Sequence, residues 1–240
     1  MQLYFIRHGQ SENNLLYAQT GSFEGRSEDP ELTPLGRQQA EHLARFLSQP
    51  GRPIPKAKLD IQNIGGFGIT HLYCSLMVRA VATGTIVAQA LDLPLVAWEE
   101  VHEMGGIHHW ALETDERIGL PGKNRAFFET HYPDLALPDE LGDEGWWNRP
   151  YEEREQRPVR ARRVLDELLA RHGNTDDRVA IVSHGGFHGH LIQAILSLTP
   201  RHGWWFSMSN AAITRIDFQD GANWIAYMNR VDFMPRELVT

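Results

Sequence analysis

The chain opens on an unbroken apolar run, Leu3-Tyr4-Phe5-Ile6, that meets Arg7-His8-Gly9 with no turn residue between. A continuous rather than alternating run marks a strand covered on both faces, so it predicts a central strand emptying into a polar loop. Pro34 stands at a first-turn position ahead of Leu35, Ala40, Leu43, Ala44 and Leu47, whose spacing is helical, and Gln49-Pro50-Gly51 ends that helix. Residues 51–68, rich in Pro and Gly, read as a surface excursion. A second strand is predicted over 70–74, a helix over 76–91, and a weaker strand over 95–98. From about 105 to 150, aromatic, Gly, Pro and acidic residues mix without a sustained period. That stretch predicts an inserted lid with at most short helices near 125–131. Residues 152–172 carry Val159, Val164, Leu165, Leu168 and Leu169 at helical spacing, with Gly173 as the stop. Arg178-Val179-Ala180-Ile181-Val182 is the clearest strand, and it runs into Ser183-His184-Gly185-Gly186 and a further helix through Leu191 and Leu196. Residues 213–218 and 224–228 flank Asp220-Gly221, the pattern of an edge hairpin. Strands alternating with helices across long crossovers predict an α/β fold: one domain over 1–240, three layers, a mostly parallel sheet with helices on both faces.

Composition adds exclusions. With 42% hydrophobic residues the 240-residue chain can build a full core. Asp and Glu number 31 against 23 Lys and Arg, a net charge of −8, and no basic stripe interrupts the pattern, which argues against a nucleic-acid partner. Cys74 is the one cysteine, so neither an internal disulfide nor a thiolate metal site is expected, and it reads as a small buried hydrophobe. The apolar start is too short for a signal-peptide core and no run reaches membrane-spanning length, so a cytoplasmic protein with no membrane partner is expected. Histidines 102, 108 and 109, and 184, 188 and 190, invite a metal reading. His184 and His188 are four apart, yet Gly185-Gly186-Phe187 between them lacks the Glu of a zinc-protease helix, and no metal is expected; surface solvation or lid packing suits the extra histidines.

Candidate chemistry gathers at strand ends. His8 follows the first strand, Arg79 lies a turn beyond the second, His184 follows the strand at 179–182, and Glu103 comes shortly after 95–98. The carboxyl ends of parallel strands share one edge, where ligands bind, so residues distant in sequence converge there. Arginine forks from Arg7 and Arg79, with backbone N–H groups of Gly9 or Gly185, would form a phosphate pocket. A neutral histidine beside it can attack phosphorus while a carboxylic acid protonates the departing oxygen. This arrangement predicts phosphoryl transfer without a metal.

Five ordered blocks then resemble a known family. Leu3 to Gly9 with Asn14, Leu32-Thr33-Pro34-Leu35-Gly36 followed by Gln39-Ala40, Ser75-Leu76-Met77-Val78-Arg79-Ala80 with Thr83, Val101-His102-Glu103, and Val182-Ser183-His184-Gly185-Gly186 are similar to the signatures of the histidine phosphatase superfamily. The resemblance is to the branch that holds cofactor-dependent phosphoglycerate mutase and related phosphatases. It implies a phosphoglycerate mutase-like fold, a small phosphomonoester as substrate, and no cofactor. By the same resemblance His8 is the nucleophile that becomes phosphorylated; Arg7, Arg79 and His184 hold the phosphoryl oxygens; Asn14 adds a donor; Glu103 is the proton donor; and Arg26 borders the substrate. Glu99, Glu100 and Glu113 are the competing carboxylates, Glu100 the first of them to test. Gln10 departs from the Glu common at its place.

Within the family, mutases resemble one another in an Asn two places after the second histidine and in an Arg-Arg pair in the insertion. Here position 186 is Gly, and the insertion offers only isolated Lys123 and Arg125. Both features favour a phosphatase that releases phosphate to water. The aromatic insertion, with Trp110, Phe127, Phe128, Trp146 and Trp147, points to a hydrophobic lid. A mutase, and a non-catalytic phosphate-binding module, stand as the alternatives.

Overall fold

The computed structural model describes residues 1–55, 59–199, 205–219 and 221–240. Nine strands and six helices are named in chain order: β1 (Gln2–Arg7), α1 (Glu12–Thr20), α2 (Pro34–Leu47), β2 (His71–Cys74), α3 (Val78–Leu91), β3 (Leu95–Ala97), β4 (His108–Ala111), β5 (Glu116–Gly119), α4 (Arg125–His131), β6 (Leu135–Ala136), α5 (Gln156–His172), β7 (Arg178–Ser183), α6 (Gly185–Ile195), β8 (Ile213–Gln219) and β9 (Ala222–Arg230).

Seven strands form one sheet in the order β6-β3-β2-β7-β1-β8-β9. Pairings from β6 through β1 are parallel, and β8 and β9 add antiparallel at the edge. The period-two geometry of a strand splits its apolar run between two cores. Tyr4 and Ile6, Ala180 and Val182 face one side with Leu43, Leu47 and Val81, whereas Leu3 and Phe5, Val179 and Ile181 face the other with Val164, Leu168, Leu191 and Ile192. Helices α2 and α3 therefore cover one face and α5 and α6 the opposite one, which are the three layers that the pattern predicts. The edge hairpin is present, although Asp220 of its turn lies outside the described residues.

The sheet aligns the ends that matter. Arg7 pairs in parallel with Ser183, and Cys74 with Val182, so the residues that follow β1, β2 and β7 leave the sheet side by side. Two features depart from expectation. The chain after His8 is not an extended polar loop: Ser11 caps α1 in a reciprocal capping box with Asn14. Residues 105–150 hold more than a short helix, because β4 and β5 form a separate hairpin and β6 extends the main sheet beside β3.

Candidate active site

The loop after β1 is held from behind by α2. Thr33 caps that helix by accepting the Gly36 N–H at 3.0 Å, and its hydroxyl donates to the Gln10 side-chain oxygen at 2.9 Å. Gln39 on the next turn accepts the Gln10 N–H at 2.7 Å. Gly9 and Gly36 meet backbone to backbone, since a Cβ built on Gly9 would sit 2.3 Å from the Gly36 carbonyl oxygen. The Leu-Thr-Pro-Leu-Gly segment thus fixes the loop that carries His8.

His8 is 3% exposed. Its Nδ1–H donates to the Gly9 carbonyl at 2.6 Å, which leaves the lone pair on Nε2, 3.2 Å from Arg79 Nε. Burial, with the Arg79 and Arg7 charges adding to it, holds the imidazole well below its usual range, so it is neutral at neutral pH. Arg79, in the first turn of α3, is buried and lies 3.7 Å from Asp29 Oδ1. His184 packs 5.1 Å from His8 between ring centroids and is itself fully buried and kept neutral by burial and by Arg79. The Ser75 hydroxyl accepts the Met77 N–H and is hydrogen-bonded to His184 Nε2 at 2.9 Å. His184 Nδ1 is a buried atom with no partner. Arg7 donates through Nη1 to the Met208 carbonyl, and its buried Nε is likewise unpartnered. An unpartnered buried guanidinium donor, with Arg79 beside it, calls for an acceptor with negative charge.

Glu103 completes the constellation from the loop after β3. Its Oε1 accepts the Met104 and Phe187 N–H groups, each at 2.9 Å, and its Oε2 accepts the Gly186 N–H at 3.1 Å. The side chain thus rests on the first turn of α6. A Cβ at position 186 would lie 2.3 Å from Met104 Cε and 2.5 Å from Glu103 Oε1, so a larger residue there would make the ends of both side chains shift. The loop is gripped in turn by a buried ion pair: Arg160 on α5 binds both carboxylate oxygens of Glu152 and donates to the Glu100 and His102 carbonyls at 2.7 and 3.0 Å. Glu152 Oε2 also accepts the Gly105 N–H at 3.2 Å.

These groups border a cavity of about 400 Å³ lined by Arg7, His8, Asn14, Arg26, Arg79 and Glu103, with Tyr17 and Phe23 on its wall. The side chains expected at the site gather here, although His184 is fully buried and does not line the cavity. Asn14 Oδ1 is occupied by Ser11 and Asn210, leaving Nδ2 as its donor. Arg26 Nη1–H reaches His108 Nε2 at 3.3 Å, and His108 is oriented by its own Nδ1–H to the Gly106 carbonyl. Three expectations need correction. The Gly9 N–H donates to Thr83 Oγ1 at 3.1 Å and is not free for phosphate. The aromatics of 105–150 do not roof the cavity, because Phe128, Trp146 and Trp147 are buried in the core and Trp110 stands behind Phe23. Of the histidines given to surface solvation or lid packing, His102 packs against Trp146 and Trp147 and His108 against Tyr151, but His188 does neither, being buried against Phe5. Reading the sequence also missed two residues. Asn210 donates to the His8 carbonyl and to Asn14 from an irregular loop with no motif, and Asp29, just ahead of the Leu32–Gly36 block, positions Arg79 while its Oδ1 accepts the Val78 N–H.

Comparison with known proteins agrees with the fold and the family resemblance. A profile of the histidine phosphatase superfamily (branch 1) matches residues 3–231. A Hydrogenobacter thermophilus protein provisionally named phosphoserine phosphatase 2 is 30% identical, the match covering 96% of each chain. An Erwinia tasmaniensis protein provisionally named phosphoglycerate mutase GpmB is 27% identical over 94% of this chain and 88% of its own. The crystal structure of Entamoeba histolytica phosphoserine phosphatase with 3-phosphoglyceric acid superposes with a TM-score of 0.59 at 22% identity, covering 97% of this chain and 98% of that one.

Proposed function

The chain belongs to the histidine phosphatase superfamily, and from that footing we propose that it is a metal-independent phosphomonoesterase working through a phosphohistidine on His8. The observation that carries the proposal is the neutral His8, its Nε2 lone pair at the floor of a cavity flanked by Arg7 and Arg79. The phosphoryl group of a small monoester settles against Arg7, Arg79, Asn14 and His184. Gly185, at the start of α6, stands beside Arg7 and completes that wall. His8 Nε2 attacks phosphorus, the bond to the ester oxygen breaks, and Glu103 gives that oxygen a proton. Oε2, with one N–H contact against two on Oε1, is the oxygen placed to carry it. Water then attacks the phosphohistidine, returning a proton to Glu103 and releasing phosphate. The two guanidinium groups act where charge builds on the phosphoryl oxygens in the transition state. Arg26 forms the far wall and meets the alcohol part of the substrate. A cytoplasmic setting is part of the proposal, resting on Cys74 as a free, buried thiol.

Gly186 in place of the Asn of mutases, and the lack of an Arg-Arg pair within 105–150, favour hydrolysis over the mutase reaction. The intact nucleophile and acid weigh against a binding module. Product analysis tests the reading. With 3-phosphoglycerate, phosphate release should exceed formation of the 2-phospho isomer whether or not the bisphosphate is added. Hydrolysis should persist in excess chelator and be inhibited by vanadate, which imitates the five-coordinate transition state. Efficient isomerisation stimulated by the bisphosphate, or strict dependence on an added divalent cation, would overturn it.

A further inference from the structure

The strands that deliver Ser75 and His184 to the cavity begin at the opposite edge of the sheet, and a second cluster of ligating side chains sits there. His71 is the first residue of β2, His172 the last of α5, and Asp177 immediately precedes β7. We propose that these three side chains bind a divalent cation of the zinc class, at a site separate from the catalytic cavity.

One ligand atom from each residue lies within 4.8 Å of the other two. His172 Nδ1 is 2.8 Å from Asp177 Oδ2, His71 Nδ1 is 3.9 Å from Asp177 Oδ1, and the imidazole centroids are 4.6 Å apart. Ligands about 2.0–2.2 Å from a tetrahedral ion are separated from one another by roughly 3.3 Å, a value that the two measured gaps bracket. An ion can therefore enter with small side-chain rotations, replacing the proton shared by His172 and Asp177. The Thr70 hydroxyl, 2.9 Å from His71 Nδ1, yields that nitrogen to the metal.

The surroundings suit such an ion. The Tyr73 hydroxyl lies 3.1 Å from His172 Nε2, so with metal on Nδ1 the remaining Nε2–H has an acceptor that fixes the ring. Asp177 has no Lys or Arg partner among the described residues; its ion pairs are with the two imidazoles. The adjacent cations are engaged elsewhere: Arg171 lies over the Trp98 ring at 4.7 Å, and Arg178 donates to the Gly66 and Phe67 carbonyls. With neutral imidazoles the site thus carries one negative charge. Two nitrogens and one carboxylate favour zinc, cobalt or nickel over magnesium or calcium, which prefer oxygen alone. His172 is buried, while His71 and Asp177 are partly open to solvent and leave a fourth position for water. The ion would tie the start of β2 to the turn between α5 and β7, far from it in sequence, which is why no local spacing announces the full set.

The test uses the full chain freed of metal by chelator. Calorimetric titration with Zn²⁺ should give one equivalent, and Co²⁺ should give the visible absorption of a four-coordinate nitrogen–oxygen site. His71→Ala and Asp177→Asn should each weaken binding by more than about tenfold. Both variants should melt near the parent temperature without metal and keep full phosphatase activity. Zn²⁺ at a hundredfold excess over its Kd should raise the parent's melting temperature by roughly 5–10 °C and leave both variants unchanged. His109→Ala, which removes a histidine paired with Glu28 elsewhere on the surface, should bind like the parent. No binding stronger than that of His71→Ala, or an equivalent that survives both substitutions, would overturn the proposal. Neither result bears on the phosphohistidine mechanism, which uses none of these side chains.

Discussion

In the proposed mechanism Glu103 is the residue on which the chemistry turns once His8 is in place. An alkyl alkoxide leaves slowly unless protonated as its bond to phosphorus breaks, whereas nitrophenolate leaves without help, and a positioned acid is worth about 10²–10⁴-fold where help matters. Glu103→Gln should therefore lose about that factor on an alkyl phosphate and far less on nitrophenyl phosphate, measured as kcat/KM on both. Equal losses would place the damage in the phosphate pocket or the fold. An unaffected alkyl rate would pass the role to another carboxylate. Glu100 is a poor heir, since it is committed to Arg149 and Arg163; Asp29 is the better one, its carboxyl pushed up to about 6 by burial despite Arg79. The catalytic residue types were legible because each follows a strand end. Asp29 and Asn210 were not, because they act through Arg79, Asn14 and backbone groups, and a side chain that positions another leaves no mark on hydrophobic periodicity.

Elements decide how firmly that acid is held. Arg160 on α5 and its partner Glu152 fasten the loop that carries Glu103, through carbonyls on one flank and the Gly105 N–H on the other. Lysine keeps the charge but cannot make the forked contact. Arg160→Lys should thus lower alkyl phosphate turnover more than nitrophenyl phosphate turnover, reproducing Glu103→Gln in weaker form, and should cost up to about 3–5 kcal/mol of stability by disrupting a buried pair. Equal losses on both esters would make the clamp a support of the fold alone. At this scale α2 and α5 were legible because their buried positions recur at helical spacing, and β7 because it is a continuous apolar run. Helix α1 was not: it buries no residue and is declared only by its Ser11–Asn14 box. The two-residue strand β6 and the half-exposed hairpin β4–β5 likewise carry too few apolar positions to show a period.

For the whole molecule, the buried imidazoles make stability depend on pH. His8, His102, His108, His184 and His188 are all held below the usual histidine value of 6.5, chiefly by burial, His108 and His188 to about 4. The unfolded chain takes up protons at these sites near pH 6.5 while the folded chain does not, so stability falls as pH drops from about 6.5 toward 4, by up to about 1.4 kcal/mol per pH unit for each imidazole. Asp29 opposes this, taking its proton near 6 in the fold and near 3.8 outside it, but it is one group against five. Urea midpoints at pH 7 and pH 5 should show a clear loss at the lower value, and a flat or rising profile would mean that these rings are protonated in the fold. The three-layer sheet was legible as a whole because β1 and β7 are continuous apolar runs. The two cores built from their alternate faces could be placed only once the register was known.

The most direct measurement is to trap the covalent intermediate. Brief incubation with a labelled phosphomonoester, followed by quenching in base, in which a phosphoramidate survives, should leave label on His8, and His8→Ala should show neither label nor turnover. Label on a serine or an aspartate, or full activity in His8→Ala, would contradict the mechanism.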